Sequence, residues 1–405
     1  MAAAHEGDRQ SIPSTRVTGS PDAIVTPELL VWARKVTGLP IDAAAAKARV
    51  SRSKLEAWET GTARPTVRIA RLLAKTYRVP FAAFYLPAIP MEVTRMPHDY
   101  RRHVGTSEMG PSIEIIQDIR ESWAARELLL ELMVQAHEAT PKFQVRLSLR
   151  TTPELAGARL RDALQFDVRA QLRIRNARIT FNRWRECVEA IDALVFQTPR
   201  IKERAARAYS LSADRLPVIV VNRKEPYSAR SFSLLHELAH VALRNSGLCD
   251  LRIDHGRPPE DQRIEVFCNA VAAACLMPAE AVLSHQIVWH HTRGTDWEEN
   301  RIGELAVDFG VSREAMLRRL LTLDLTTEAF YQLKRTQYAA EYLSRPRRSG
   351  PISPATSVLS IRGRPFVRTV LASLGAKRIT STDAAQYLGL RARHIDRLAT
   401  IAAEK

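Results

Sequence analysis

Two histidines four residues apart, with a glutamate directly after the first, form the segment of this sequence best equipped for chemistry: His236-Glu237-Leu238-Ala239-His240. On an α-helix His236 and His240 stand one turn apart on one face, so both imidazoles can reach a single ion. Glu237 projects about 100° further round the helix. There its carboxylate can take a proton from water polarised by the ion instead of ligating it. A catalytic zinc site commonly uses three protein ligands and keeps one position open, so a third ligand is required. Glu265 is the best candidate, because it begins a second helical run, Glu265-Val-Phe-Cys-Asn269, whose other face is apolar. Asn269, one turn on, is placed to give a supporting hydrogen bond.

The competing reading is a pair of surface histidines. Phe232, Leu234, Leu235, Leu238, Val241, Ala242 and Leu243 surround the motif and argue that the helix is buried. Burying two imidazoles and a carboxylate without partners would be costly, which favours a metal, Zn2+. His255, His285, His290 and His291 lack such spacing and read as surface or loop residues. Cys268 and Cys275, seven apart, read as core residues. The four cysteines have no paired spacing and read as reduced thiols in a cytoplasmic protein.

A second constellation lies nearer the N-terminus. Leu30, Ala33, Ala45, Val50, Leu55, Trp58, Pro65, Leu72, Leu73 and Ala74 follow in the order of a helix-turn-helix core. Ala45 sits where the two helices of the motif meet, which needs a small side chain. Val50 and Leu55 anchor the second helix, and Ser51, Arg52, Ser53 and Lys54 are left for the DNA groove. Arg52 suits a guanine edge, Ser51 or Ser53 suits a phosphate or base, and Arg64, Arg68 and Arg71 suit the sugar–phosphate backbone.

These residues need elements to hold them. The 405 residues are too many for one ordinary domain. Helical spacing predicts several short helices over 27–86, a long amphipathic helix over 111–137 and another over 153–166. Ala193-Leu-Val-Phe196 and Val218-Ile-Val-Val221 read as strands. Helices return over 231–283, 301–325 and 380–399, with proline-rich linkers at 87–110 and 345–354. No fixed-period repeat emerges, only three loosely similar helix-turn-helix-like stretches. No apolar run is long enough to span a bilayer, and 1–20 has no apolar signal core. The formal charge of +16 is uneven: +7 over 1–104, −1 over 105–332 and +10 over 333–405. The ends are therefore expected to meet an anion such as nucleic acid, and the neutral middle to do something else.

Together the motifs resemble the ImmA/IrrE family of zinc peptidases fused to an XRE (Cro/C1-type) helix-turn-helix. The resemblance rests on Trp58-Glu59-x-Gly61-x-x-x-Pro65, Leu72-Leu73-Ala74-x-x-Tyr77, Val79-Pro80 through Phe84, and Asp99-Tyr100-Arg101. In the body it rests on Pro217-Val-Ile-Val-Val-Asn222, on Arg230-x-Phe232 leading to the histidine motif, and on Glu265-x-x-x-Asn269 leading to Leu276-Met277-Pro278. It implies a mainly α, α+β protein. The expected divisions are a flexible tail (1–25), a five-helix helix-turn-helix domain (26–90), and a linker with a long helix (91–140). A zincin-like peptidase domain with a small sheet (141–325) follows; the basic helical region (326–405) lies outside the resemblance, and its Asp383-Ala-Ala-x-x-Leu388-Gly-Leu390 run followed by Arg391, Arg393 and Arg397 makes it a candidate second DNA-binding module. His236, His240 and Glu265 would bind zinc, and Glu237 would be the catalytic base. Arg230 is a candidate second oxyanion donor. Family members cut XRE-type repressors, so a protein substrate encoded nearby, in a stress, mobile-element or toxin-antitoxin response, is implied. DNA binding as a homodimer is implied too. Two departures stand out: Arg49 occupies the turn position that usually carries Gly, and Cys268 replaces the more usual Ala.

Two rival functions remain at this level. One is a non-catalytic antitoxin or transcription regulator whose body binds a partner protein. The other is DNA binding without regulation, which steep salt dependence would mark.

Overall fold

The computed structural model describes residues 21–77, 79–89, 98–99, 113–201, 206–244, 247–249, 259–344, 350 and 352–403. Residues 1–20 of the expected tail, Tyr100 and Arg101, His255, and most of both expected linkers lie outside these residues. The chain forms two compact units, Met1–Thr94 and Arg95–Lys405.

The first unit contains α1 (Pro27–Val36), α2 (Ile41–Ala48), α3 (Arg52–Glu59), α4 (Val67–Tyr77) and a 3-10 helix, Phe81–Tyr85. Leu29, Leu30, Ala45, Leu55, Trp58, Leu73 and Phe84 make its core. Glu59 on α3 accepts two hydrogen bonds from Arg34 on α1, at 2.7 and 2.8 Å, and pins the helices to each other. Ser51 caps α3 by accepting from the Lys54 amide. Arg49, between α2 and α3, is left-handed at φ 55° and ψ 44°, so the turn keeps the shape that glycine would have eased.

The second unit has three layers. A mixed five-stranded sheet runs β1 (His98–Asp99), β5 (Gly247–Cys249), β3 (Ala208–Leu211), β4 (Val218–Asn222), β2 (Leu194–Thr198) across its width. β2 and β4 are parallel, and β3 is antiparallel to both β4 and β5. Side chains of a strand alternate between faces. Val195, Ile219 and Val221 therefore enter one core, and Leu194, Phe196, Val218 and Val220 enter another. Burial on both faces explains why these strands read as unbroken apolar runs.

One face carries α6 (Pro153–Leu164), α7 (Val168–Ile174), α8 (Ala177–Ala190), α9 (Tyr227–Ala242) and α10 (Pro259–Leu276). With them lie the short α11 (Ala279–Leu283) and α12 (Gln286–Trp289), then α13 (Glu299–Phe309), α14 (Arg313–Thr322) and α15 (Glu328–Ser344). The other face carries α5 (Ile113–Gln135), α16 (Pro354–Gly375), α17 (Ser381–Leu388) and α18 (Ile395–Ala403). α16 is kinked at Gly363, two residues before Pro365, and the Ser360 carbonyl accepts from Arg185 and Gln197.

Boundaries expected at 140/141 and 325/326 fall inside this unit. The long helix and the C-terminal helices supply the second half of the sheet's burial: Ile115, Ile119, Phe366, Val367 and Val370 lie on Phe196, Val218 and Val220. The apolar spacing of α5 was legible, but α16 was not anticipated, nor which sheet face either helix covers.

Candidate metal centre

α9 is apolar on nearly every side, as a helix enclosed by its neighbours must be. It packs against α8, α10, β3 and β4. His236, Glu237 and His240 on it are wholly buried, and Glu265 on α10 is 3% exposed.

The two helices bring three donors to one point. His240 Nε2 is 3.1 Å from Glu265 Oε1, His236 Nε2 is 3.6 Å from Glu265 Oε2, and the two Nε2 atoms are 3.2 Å apart. Among the described residues these three alone form a cluster able to hold a metal, with donor atoms all within 4.8 Å of one another. Two imidazole nitrogens and one carboxylate are a donor set suited to zinc. So dense a convergence of lone pairs in a dry interior is favourable only around a cation or shared protons. The residues present therefore fit a zinc ion.

Glu237 is wholly buried and directly follows His236 in the chain. Cys268 lies beside His240. Burial pushes its thiol up, while the His240 ring pulls the other way. Its position against His240, and not only in the core, was not anticipated.

Asn269 is half-buried one turn beyond Glu265. The Arg230 guanidinium donates to the Glu225 carbonyl at 2.7 Å, to Gln197 Oε1 at 3.0 Å and to the Arg223 carbonyl, and lies 4.2 Å from the Tyr227 ring centroid. It ties the start of α9 to the ends of β2 and β4.

A further set of residues was missed. α10 ends inside the protein, where its last carbonyls need donors. Arg161 donates to Cys275 O at 2.6 Å, Gln171 to Leu276 O at 3.0 Å, and Arg319 to Met277 O at 2.8 Å. Arg161 also holds Gln171, Gln171 reaches Phe309 O, and Arg319 makes a two-point ion pair with Glu154. A β-carbon at Gly157 on α6 would lie 2.7 Å from Ala274 Cβ, so glycine permits the close approach of α6 to α10. No local sequence signal marks these contacts, because each partner is distant in the chain.

Of the remaining histidines, His285 caps α12 and lies 3.3 Å from Asp308, and His291 stacks on Trp297 at 3.6 Å. In the first unit Ser51, Arg52, Ser53, Lys54, Arg64 and Arg68 are all exposed. Arg52 is held by Glu56 at 2.7 Å and Asp42 at 3.1 Å, contacts that a DNA edge would have to replace. Such exposed pairs contribute about 1 kcal/mol or less.

Comparison with known families places this geometry. Residues 191–321 match the model of the IrrE N-terminal-like domain, Peptidase_M78, and residues 32–84 match the helix-turn-helix model HTH_3. The first span contains the three residues of the cluster and Glu237, and the second contains α2 and α3. The chain thus joins a helix-turn-helix domain to an IrrE-like domain of the metallopeptidase type. No curated protein matches it. No helix among the described residues is long and apolar enough to cross a membrane.

Proposed function

We propose that this protein is a DNA-binding regulator whose second unit is a zinc-dependent endopeptidase acting on a protein partner. The single observation that carries the reading is the meeting of His236, His240 and Glu265 with Glu237 buried alongside. His236, His240 and Glu265 hold the metal. Zinc bound there supplies a Lewis acid and brings the pKa of water toward neutrality.

Every other part falls to the chain. Glu237 follows His236 directly, so its carboxylate is offset round the helix from the ligand face and is free of ligation. It accepts the proton of the attacking water and returns it to the leaving amine. The apolar wall of α9 keeps bulk water out and strengthens these charge interactions. Asn269 supports Glu265 from the next turn of α10.

DNA enters through α3, with Arg52, Ser53 and Lys54 toward the groove and Arg64 and Arg68 toward phosphates. The end of α3's own first turn is stabilised by Ser51, so that hydroxyl serves the cap before it serves DNA. The natural substrate is a repressor or other partner encoded nearby, and the cell compartment is the cytoplasm.

The complete burial of His236, Glu237 and His240 favours a second reading, in which the body only binds its partner as an antitoxin would. Co-expression with the product of the adjacent gene separates the two. Cleavage by the native chain and not by Glu237→Gln supports the peptidase. A stable complex indifferent to Glu237 supports the binding protein.

A further inference from the structure

Three helix pairs in this chain share one turn. In each, the first helix ends in a left-handed residue: Arg49 (φ 55°), Gly310 (φ 68°) and Gly389 (φ 60°). The next amide reaches back to an alanine carbonyl: Val50 to Ala45 at 3.0 Å, Val311 to Ala306 at 2.9 Å, Leu390 to Ala385 at 2.9 Å. An extended residue follows, Ser51, Ser312 or Arg391, and then a buried anchor, Leu55, Met316 or Ile395. The turn itself specifies no ligand, since α6 and α7 are also joined through a left-handed residue, Gln165. What differs is the outer face of the second helix.

In α13–α14 that face is closed. Arg313 is bonded to Glu299 at 2.5 Å and to Glu341, and Tyr338 lies against it; Arg319 is buried on Glu154. In α17–α18 it is open. Arg391 and Arg393, on the 3-10 turn (Ala392–His394) that leads into α18, and Arg397 on α18 are exposed, as are Lys377 and Arg378 before α17; Arg393 donates to His394 Nε2 at 3.3 Å, and none of the five has an ion pair among the described residues. Ile395, Leu398 and Ala402 face inward. The basic residues that do serve the fold are others: Arg364 and Arg368 both donate to Ala402 O at the end of α18. Asp383 is consumed in the Thr380 capping box, which leaves Asp396 as the acidic residue of the outer face.

We propose that the α17–α18 pair is a second double-stranded DNA-binding element, with Arg391, Arg393 and Arg397 contacting phosphates around one groove. An exposed helix of this length fits the major groove. The outer face, Arg391, Arg393, Asp396, Arg397, Ala399 and Thr400, has no Phe, Tyr or Trp on which single-stranded bases would stack, and the ring of His394 between them is half-buried and accepts from Arg393. It also has no large apolar residue to enter a membrane. This inference is independent of the zinc reading and fails separately from the assignment of α3.

The test is fluorescence anisotropy of the full chain with a short labelled duplex, and with a single-stranded RNA of equal length, across a salt series. The variants are Arg391→Ala/Arg393→Ala/Arg397→Ala, Arg52→Ala/Lys54→Ala, both sets combined, Arg393→Ala alone, and Arg318→Ala on α14 as its matched single loss of charge. The triple variant should bind duplex about tenfold more weakly or worse, with a salt slope lower by about one unit per lost phosphate contact. Replacing the three arginines by lysine should restore most of the affinity. Unchanged duplex binding in the triple variant overturns the proposal. So does an equal loss with Arg393→Ala and with Arg318→Ala, or a loss confined to RNA. An Arg52→Ala/Lys54→Ala chain that binds as before would count against α3 alone.

Discussion

His240 Nε2 and Glu265 Oε1 lie 3.1 Å apart although they belong to different helices, and that contact makes α9 and α10 one functional object. Whatever moves α10 along its axis moves a ligand. The residues that position the site therefore extend well beyond the histidine motif.

Glu265→Gln should lose zinc. The amide keeps the shape but removes the charge that balances the ion. Isothermal titration should show affinity at least tenfold weaker, and zinc should no longer raise the melting temperature. In the native chain, zinc at about 100 times its Kd should stabilise by about 2.7 kcal/mol. Equal thermal shifts in the two proteins would place the ion elsewhere.

Gln171→Leu should weaken the same site from a distance. It leaves the Leu276 and Phe309 carbonyls without their side-chain donor. The expected loss is about 2 to 4 kcal/mol by denaturant unfolding. Zinc affinity should fall as well, since α10 is no longer held at its end. Loss of stability with native zinc affinity would show that this end is merely structural.

Arg49→Gly should stabilise the first unit by about 1 kcal/mol, because a left-handed residue with a side chain is strained there. Thermal unfolding followed in that unit reads the change. A destabilised variant would show that the Arg49 side chain contributes more than its backbone costs.

The histidine motif was legible because helix periodicity places ligands four residues apart. Glu265 was legible because a carboxylate precedes the apolar part of a helical run, although α10 itself starts earlier, at Pro259, and carries Glu260 and Asp261 in its first turn. Arg49 showed its conformation through the turn chemistry around it. The roles of Arg161, Gln171 and Arg319 were hidden, since each completes a helix end far away in sequence. The anchoring bonds of Arg230 were not legible, since Gln197 is distant in sequence and its contact depends on how β2 meets α9. β3 was missed for its shortness: Ala208-Tyr-Ser-Leu211 has neither alternation nor a β-branched run. The C-terminal charge read as one basic module, yet Arg364 and Arg368 are spent on the end of α18.

Asp118 gives a pH dependence of unusual sign. Burial raises its pKa, and hydrogen bonds from Thr198 and Tyr209 only partly oppose this. Its folded pKa thus exceeds the unfolded value of about 3.9. The folded state binds more protons in that window, so its contribution is full below the unfolded pKa and is lost as pH rises through the folded one. The stability of the native chain relative to Asp118→Asn should therefore fall as pH rises from 4 toward neutrality. Unfolding both proteins in urea across that range tests it. A difference that grows with pH would contradict the assignment.

The central claim is that Glu237 moves the proton while His236, His240 and Glu265 hold zinc. The most direct measurement pairs zinc content with partner cleavage in native and Glu237→Gln chains. The expected result is equal zinc and a loss of cleavage of at least about a hundredfold. A Glu237→Gln protein that holds zinc and cleaves at the native rate would contradict it.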